Sequence, residues 1–182
     1  MYEIRIHGLG GEGVVKLSEV VGKAATQSGK WAHSFPFFGT EIRGAAVKAF
    51  IRVDDNPITI KSYIYEPDVV IITNDILLND QAVIQGIKPD SWLLINTIRP
   101  KEELEKAYGC KVFTIDATSL GYEIIGKPIV NTILLGVLIG ATEVVSFDSA
   151  MEIISEEFGE KIARLNIEAA RRGYDEMKKV MA

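Results

Sequence analysis

Four glycines near the start of the chain have the spacing of an anion-binding turn. They lie in the segment HGLGGEG and are Gly8, Gly10, Gly11 and Gly13. Glycine lets the backbone turn tightly and approach a phosphate, and the free N–H groups at the start of a following helix favour a negative charge. The spacing Gly-x-Gly-x-x-Gly between a strand pattern and a helix pattern therefore predicts a turn that binds a ligand or permits close backbone packing.

A nicotinamide dinucleotide site would also need an acidic residue about twenty positions after the turn, to bind the ribose hydroxyls. That region reads WAHSF at residues 31–35, and the next acidic residue is Glu41. Glu12 also places a carboxylate inside the turn, where it would repel a pyrophosphate unless it points away. Three interpretations of the turn remain open: a dinucleotide site, close packing without a ligand, and contact with another anion or a partner subunit.

A second candidate segment, HSFPFFGTEIRGAA, combines aromatic rings, a proline, glycines and a pair of opposite charges. Aromatic and arginine side chains contribute much of the binding energy at the centres of protein interfaces. The candidate interface residues are Phe35, Phe37, Phe38, Gly39, Glu41 and Arg43. The alternative is a covered loop whose rings pack on the chain's own sheet, while Glu41 and Arg43 are solvated.

The two histidines and the one cysteine give no pattern of a catalytic or metal site. His7 and His33 have no carboxylate or cysteine near them in sequence, so we expect structural roles. Cys110 opens a predicted buried strand and is expected to be an inert thiol. One cysteine cannot form an internal disulfide or ligate an iron–sulfur cluster. We therefore predict no catalytic residue and no metal ligand in this chain, and a reducing cytoplasm as its location.

The elements that must position these residues are predicted by the periodicity of the apolar side chains. A strand at 2–7, the glycine turn and a helix that ends near Gly29 come first. The later strands are expected at about 30–35, 45–53, 58–60, 68–73, 91–97 and 110–116, with the turn DDNP joining 45–53 to 58–60 as a hairpin. The later helices are expected at about 75–87, 101–108 and 128–145, followed by one that Asp148 or Ser149 caps and that ends near Met181.

This alternation of strands and helices predicts one α/β domain over residues 1–182. Continuous apolar runs such as residues 69–72 are typical of strands that are covered on both faces of a parallel sheet. The expected fold is a mostly parallel, doubly wound sheet with helices on both faces and an inserted antiparallel hairpin.

The charge and hydropathy of the chain exclude two classes of partner. There are 20 Lys and Arg residues against 25 Asp and Glu, and the basic residues are scattered, so we expect no nucleic-acid binding. The longest apolar stretch, residues 129–141, is shorter than the ~20 residues that cross a bilayer, so we expect a buried helix and no membrane partner. Its small residues would also permit close packing by a helix of a partner.

Five motifs in order cover nearly the whole chain: HGLGGEGV, HSFPFFGTEIRGAA, IRVDDNPI, YEPD and NTILLG. Together they closely resemble the gamma subunit of pyruvate/2-ketoisovalerate:ferredoxin oxidoreductases. One departure is Glu12, where the family usually carries Gln, so that a hydrogen bond from that amide is lost. Residues 35–39 and 65–68 look more like the pyruvate-type gamma chains than the 2-oxoglutarate-type ones.

The resemblance implies a multi-subunit enzyme that decarboxylates a 2-oxoacid on thiamine pyrophosphate with Mg²⁺, passes electrons through 4Fe-4S clusters to ferredoxin, and releases an acyl-CoA. It implies that these cofactors are held by alpha, beta and delta chains and that the gamma chain is structural and close to CoA. The absence of a Gly-Asp-Gly diphosphate motif and of a set of cysteines agrees with this division.

The function that the resemblance implies is therefore that of a non-catalytic gamma subunit supporting oxidative decarboxylation of pyruvate to acetyl-CoA. Two alternatives remain open at this point. One is an independent, dehydrogenase-like domain that binds a dinucleotide at the glycine turn. The other is a pure scaffold subunit of a related 2-oxoglutarate or 2-ketoisovalerate oxidoreductase.

Overall fold

The structure, a computed structural model, describes residues 1–38 and 45–182, with Phe38 described for its backbone alone. A six-stranded sheet forms the centre, in the order β2-β3-β1-β4-β5-β6. The strands are β1 (Tyr2–Leu9), β2 (Trp31–Phe38), β3 (Ala46–Asp54), β4 (Val69–Ile72), β5 (Trp92–Asn96) and β6 (Lys111–Ile115). The α-helices are α1 (Val14–Gln27), α2 (Lys101–Tyr108), α3 (Ala117–Ile125), α4 (Asn131–Thr142), α5 (Phe147–Glu157) and α6 (Glu160–Met181).

The sheet is mostly parallel, and one strand is reversed. Strands β1, β4, β5 and β6 pair in parallel, whereas β3 runs antiparallel to both of its neighbours, β1 and β2. The predicted α/β class, with helices on both faces and an antiparallel hairpin, is confirmed. The hairpin consists of β2 and β3, however, and residues 58–60 form no strand.

The segment after β3 leaves the sheet because Arg52 binds its backbone. Arg52 is buried, and its guanidinium donates to the carbonyl oxygens of Ser62 at 2.7 Å and Tyr63 at 3.2 Å. Its Nε pairs with the Glu3 carboxylate at 2.7 Å. Carbonyl groups bound in this way need no ladder partner, so the expected second hairpin strand does not form.

The expected helix over 75–87 is two short 3-10 turns, Asp75–Asn79 and Gln81–Val83. The side chains of Asn74 and Asp80 each accept a hydrogen bond from the backbone two residues further on and so begin a new turn. The backbone of Asp80 is extended, with φ −98° and ψ 109°, which ends the first turn.

The expected long final helix is divided into α5 and α6. Phe158 and Gly159 between them are extended, with ψ near 148° in both. The cap of α5 is Ser146, whose Oγ accepts from the Ser149 N–H at 3.0 Å, so the predicted caps Asp148 and Ser149 are wrong. The sequence pattern also fails to predict α3.

Helix α4 is the buried helix that the apolar run predicts, although it is shorter than the expected range of 128–145. It packs on α6 with the two backbones in contact. A Cβ atom at Gly136 would overlap the carbonyl oxygen of Ala170, and one at Gly173 would overlap that of Ile133. The small residues of α4 thus serve packing against a helix of the same chain.

The two faces of the sheet have separate cores. Val69 and Ile71 of β4 face the larger core, which α1, α4, α5 and α6 cover, while Val70 and Ile72 face the smaller core beneath α2. All four are fully buried, which confirms the prediction for this apolar run. Within the described residues, no helix is long and apolar enough to cross a membrane.

Candidate functional site

The glycine turn lies at the carboxyl end of β1 and packs closely against two other segments. Gly11 and Gly13 have φ of 95° and 77°, a left-handed conformation that glycine adopts without strain. A Cβ atom at Gly8 would overlap the Thr73 hydroxyl, and one at Gly13 would overlap the Asn131 amide. The glycines therefore allow β1 and the start of α1 to approach β4 and α4.

The turn borders the crevice where open α/β sheets usually bind ligands. From β1 the chain continues to β2 on one side of the sheet, whereas from β4 it continues to β5 and β6 on the other, so the switch point lies between β1 and β4. Glu12 bridges this crevice. Its carboxylate accepts from the Leu9 N–H at 2.7 Å and from Asn74 Nδ2 at 3.0 Å. It also accepts from the Thr73 hydroxyl.

Three backbone donors of the turn, those of Leu9, Gly10 and Glu12, are used inside the protein. Besides the Leu9 N–H, which binds Glu12, the Gly10 N–H donates to the Ala45 carbonyl at 2.9 Å, and the Glu12 N–H donates to the Leu9 carbonyl at 3.1 Å. A pyrophosphate at the turn could use these three donors only by displacing their bonds, and it would lie close to the Glu12 carboxylate. The geometry therefore disfavours the phosphate cradle that the glycine spacing alone suggests.

Strand β3 gives a second reason to disfavour a dinucleotide. In a dinucleotide fold the second strand lies beside the first, and its end binds the ribose. Here β3 lies between β1 and β2, which puts β2 two strand spacings, about 10 Å, from β1. The end of β2 is therefore in the wrong place to complete the site.

A network of polar groups, including the Asp75 carboxylate, continues along the carboxyl ends of the next strands. Asn96 donates to the Thr73 carbonyl at 2.9 Å and to the Thr118 hydroxyl at 3.0 Å. The Thr97 hydroxyl donates to the Asp75 carboxylate at 2.6 Å. The sequence patterns do not predict these contacts, and the one available signal is that Thr73, Asn96 and Thr97 lie at the ends of buried strands.

The structure brings the glycine turn and the aromatic segment together. The bond from Gly10 to Ala45 joins the turn to the residue just before β3, and Leu9 pairs with Ala46 in the sheet. Residues 33–38 of the aromatic segment belong to β2, which is therefore longer than the expected strand at 30–35. Phe38 pairs with Val47, so the described ends of the segment lie at the same end of the sheet as the turn. Three predicted interface residues, Gly39, Glu41 and Arg43, and the side chain of Phe38 lie outside the described part of the structure.

The described rings of the aromatic segment contact other rings of this chain. Phe35 is half-buried and stacks on Phe50 at 5.1 Å between centroids. Phe37 lies edge-on to Tyr63 at 5.4 Å and is 39% exposed. Phe35 therefore serves packing on the sheet, while the exposed part of Phe37 is available for contact.

The environments of both histidines lower their pKa and so favour the neutral ring. Burial, together with the charges of Arg5 and Lys48, lowers the pKa of His7 to about 3. His7 Nε2 accepts from Arg5 Nε at 2.9 Å. Burial also lowers the pKa of His33, whose ring lies 5.0 Å from that of Phe35. Among the described residues, neither histidine has the carboxylate partner of a catalytic histidine.

The thiol of Cys110 is buried, and burial raises its pKa to about 11. A protonated, enclosed thiol is a poor nucleophile and a poor ligand. A 4Fe-4S cluster needs four thiolates, so the donor set of this chain does not fit such a cluster.

Comparison with known proteins places this chain among oxidoreductase subunits. The model of the family "Pyruvate ferredoxin/flavodoxin oxidoreductase" matches residues 3–176. The chain is 44% identical to pyruvate synthase subunit PorC of Methanocaldococcus jannaschii over 179 residues, or 98% of each chain. It is 43% identical to the pyruvate/ketoisovalerate oxidoreductases common subunit gamma of Thermococcus litoralis, over 96% of each. The crystal structure of pyruvate oxidoreductase subunit PORC from Thermotoga maritima superposes with a TM-score of 0.86 at 32% identity, covering 96% of this chain and 95% of that one.

Proposed function

The chain belongs to the pyruvate ferredoxin/flavodoxin oxidoreductase family, and from this membership we propose that it is the gamma chain of a multi-subunit pyruvate:ferredoxin oxidoreductase. In this role it supports the oxidative decarboxylation of pyruvate to acetyl-CoA and has no active site of its own. The observation that carries the proposal is the end-to-end similarity to subunits named PorC and gamma.

The cofactors of the reaction belong to partner chains in this proposal. Alpha, beta and delta subunits hold thiamine pyrophosphate, Mg²⁺ and the 4Fe-4S clusters, and ferredoxin accepts the electrons from the complex. The single buried Cys110 supports this division, since this chain cannot supply four cluster ligands. A cytoplasmic location stays a prediction.

The contact surface of the gamma chain in this proposal is the end of the sheet where the glycine turn meets the aromatic segment. The bond from Gly10 to Ala45 holds these two segments together, and Glu12 ties the turn to β4. At this end of the sheet, the exposed part of Phe37 and the side chains of Phe38 and Arg43 contact partner subunits or CoA. We assign the position close to CoA to this end of the sheet.

The interface part of the proposal is tested by the double variant Phe38→Ala, Arg43→Ala. The variant is co-expressed with the other subunits, and its recovery with them is compared with that of the parent. We expect the isolated variant to keep its melting temperature while its association weakens. Tyr122→Ala is the control, because Tyr122 is an exposed aromatic residue on α3. Normal assembly of the double variant would remove the loop from the interface, and loss of folding would assign its rings to the core.

The dehydrogenase-like alternative is tested separately by titrating the purified chain with NAD, NADP, FAD and CoA. The closed turn and the position of β3 predict no dinucleotide binding in the micromolar range. Micromolar binding of NAD, NADP or FAD would favour the alternative over the gamma-chain role.

A further inference from the structure

A cavity of about 220 Å³ lies on the sheet face that α1 does not cover. Its floor comes from β1, β2 and β3, and its other side comes from residues 63–65 and the segment around Ala82 and Gln85. Its walls combine basic and aromatic side chains, and we call it the basic–aromatic cavity. None of its lining residues in the described chain is acidic.

Arg5 brings a buried positive charge to the edge of this cavity. It is 5% exposed, and its guanidinium donates to the carbonyl oxygens of Val83 and Gln85, both at 2.8 Å, and of Ile64 at 3.3 Å. Among residues 1–38 and 45–182, no carboxylate lies within ion-pair distance of Arg5. Its charge is therefore solvated by backbone dipoles and is not neutralised.

The bond from Arg5 fixes the protonation pattern of His7. The guanidinium Nε always carries its proton, so His7 Nε2 is an acceptor and the proton of the neutral ring is on Nδ1. The low pKa of His7, about 3, keeps the ring in this neutral form at physiological pH. His7 lines the cavity and is 2% exposed, and its Nδ1–H has no acceptor in the described part of the chain.

Lys48 provides a second donor beside His7. The two residues are direct partners across β1 and β3, and both line the cavity. Within the described ranges, the Lys48 ammonium forms no ion pair. The cavity therefore presents a cationic donor and a neutral N–H donor close to a buried guanidinium, a combination that attracts an anion.

The remaining wall is aromatic. Phe50 stacks on Tyr63 at 5.2 Å between centroids, and Phe37 lies edge-on to the same tyrosine. Stacked rings of this kind favour a flat or apolar body over a hydrated inorganic ion. The volume equals that of roughly seven water molecules at ~30 Å³ each, which suits one small ring and is too small for a dinucleotide.

We propose that the basic–aromatic cavity binds a small organic anion. Its carboxylate or phosphate group binds Lys48 and the His7 Nδ1–H beside Arg5, and its flat or apolar body lies against Phe50 and Tyr63. The site is separate from the glycine turn, because none of its lining residues in the described chain belongs to that turn, and it shares only Phe37 with the predicted interface residues.

The experiment is isothermal titration calorimetry of the full chain with three probes: benzoate, the neutral benzamide, and inorganic phosphate. A charge-assisted bond distinguishes the first two, so benzoate should bind at least about tenfold more tightly than benzamide. Lys48→Gln should weaken benzoate binding by at least about fivefold. Lys161→Gln on α6, an exposed lysine outside the cavity, is the matched control and should change nothing.

Tyr63→Ala separates an organic ligand from a simple ion. This variant should weaken benzoate binding and leave phosphate binding unchanged, because the ring contacts only the apolar body. Melting curves of each variant confirm that it is folded, and Tyr63→Ala keeps the test valid if Lys48→Gln does not fold.

Three results would overturn the proposal. The first is equal affinity for benzoate and benzamide. The second is benzoate binding that neither Lys48→Gln nor Tyr63→Ala weakens. The third is absence of benzoate binding up to about 10 mM, beyond the range of even a weak small-molecule site.

Discussion

Glu12 largely determines what the glycine turn can bind. Its carboxylate accepts hydrogen bonds from Leu9, Thr73 and Asn74, and so places a negative charge where a phosphate would lie. The sequence shows the glycine spacing and the presence of an acid, but the bonds to Thr73 and Asn74 join residues about sixty positions apart. Local pattern does not reveal such contacts, so the closed state of the turn could not be predicted.

Gly13→Ala should destabilise the fold more than Gly29→Ala, although both replacements introduce the same backbone strain. Gly29 is the matched control, because its φ of 79° equals that of Gly13 within two degrees and a Cβ there would meet nothing within 4 Å. Gly29→Ala should lower the free energy of unfolding by about 1 kcal/mol. Gly13→Ala adds an overlap with Asn131 and should cost roughly 1–3 kcal/mol more in urea unfolding.

A double variant tests whether the overlap with Asn131 causes the loss of stability. Adding Asn131→Ala to Gly13→Ala should recover part of the lost stability, because it removes the amide that the new Cβ meets. Equal effects of Gly13→Ala and Gly29→Ala would show that the turn does not pack closely against α4.

His7 should make the chain less stable in acid. The unfolded chain takes up a proton at His7 below its ordinary pKa of 6.5, whereas the folded chain does so only near pH 3. The contribution of the neutral ring is thus complete above pH 6.5 and is lost progressively as pH falls towards 3. At about pH 4.5 the loss should be roughly 2–3 kcal/mol in the free energy of unfolding.

Replacing His7 by Gln tests this pH dependence. The Gln amide oxygen can still accept from Arg5 but does not titrate, so the decrease in stability between about pH 7.5 and pH 4.5 should shrink by roughly 2–3 kcal/mol. His33→Gln is the control and should keep most of the decrease, because His33 is less buried. An unchanged pH dependence in His7→Gln would show that His7 is not held neutral.

At the element scale, β3 decides the architecture of the sheet. It separates β2 from β1 and leaves a sheet face under residues 58–66 that Arg5 and Arg52 hold in place. The alternation of apolar residues correctly predicts that β3 is a strand in an antiparallel hairpin. It does not identify the partner, because the same alternation suits pairing with either neighbouring segment, and buried arginine bonds to carbonyls have no local signature.

The contact between α4 and α6 should tolerate no side chain at Gly136. A Cβ there would overlap the backbone of Ala170, which cannot move aside by changing rotamer, so Gly136→Ala should cost at least about 2 kcal/mol. Gly22→Ala in α1 is the control: its Cβ would lie 3.4 Å from that of Ser34, and it should be neutral or stabilising by up to about 1 kcal/mol. Thermal melting compares them, and a shift of the same sign and size in both would contradict the close helix contact.

At the scale of the whole molecule, the fold class and the order of strands and helices were predictable because buried strands such as residues 69–72 have continuous apolar runs. The division of the last helix at Phe158 and Gly159 was not, because both flanking segments have helical periodicity. The basic–aromatic cavity could not be predicted either, since it assembles side chains from separate segments of the chain.

The thiol, the histidines and the glycine turn of the chain are compatible with the proposed role of a supporting subunit. Burial raises the pKa of its thiol to about 11 and lowers the pKa of both histidines, and the Glu12 carboxylate binds within the glycine turn. In the proposed gamma-chain role, the chain takes part in assembly and partner chains carry out the chemistry. The central claim is therefore that the chain is necessary for the reaction of the complex and inactive alone.

The most direct test is CoA-dependent pyruvate oxidation with a dye acceptor, measured for the chain alone, for the alpha, beta and delta chains without it, and for all four together. Thiamine pyrophosphate and Mg²⁺ are supplied in each case. We predict no turnover by the chain alone, turnover by the four chains, and a sharp reduction when this chain is left out. Measurable turnover by the single chain, or full turnover by the other three without it, would contradict the account.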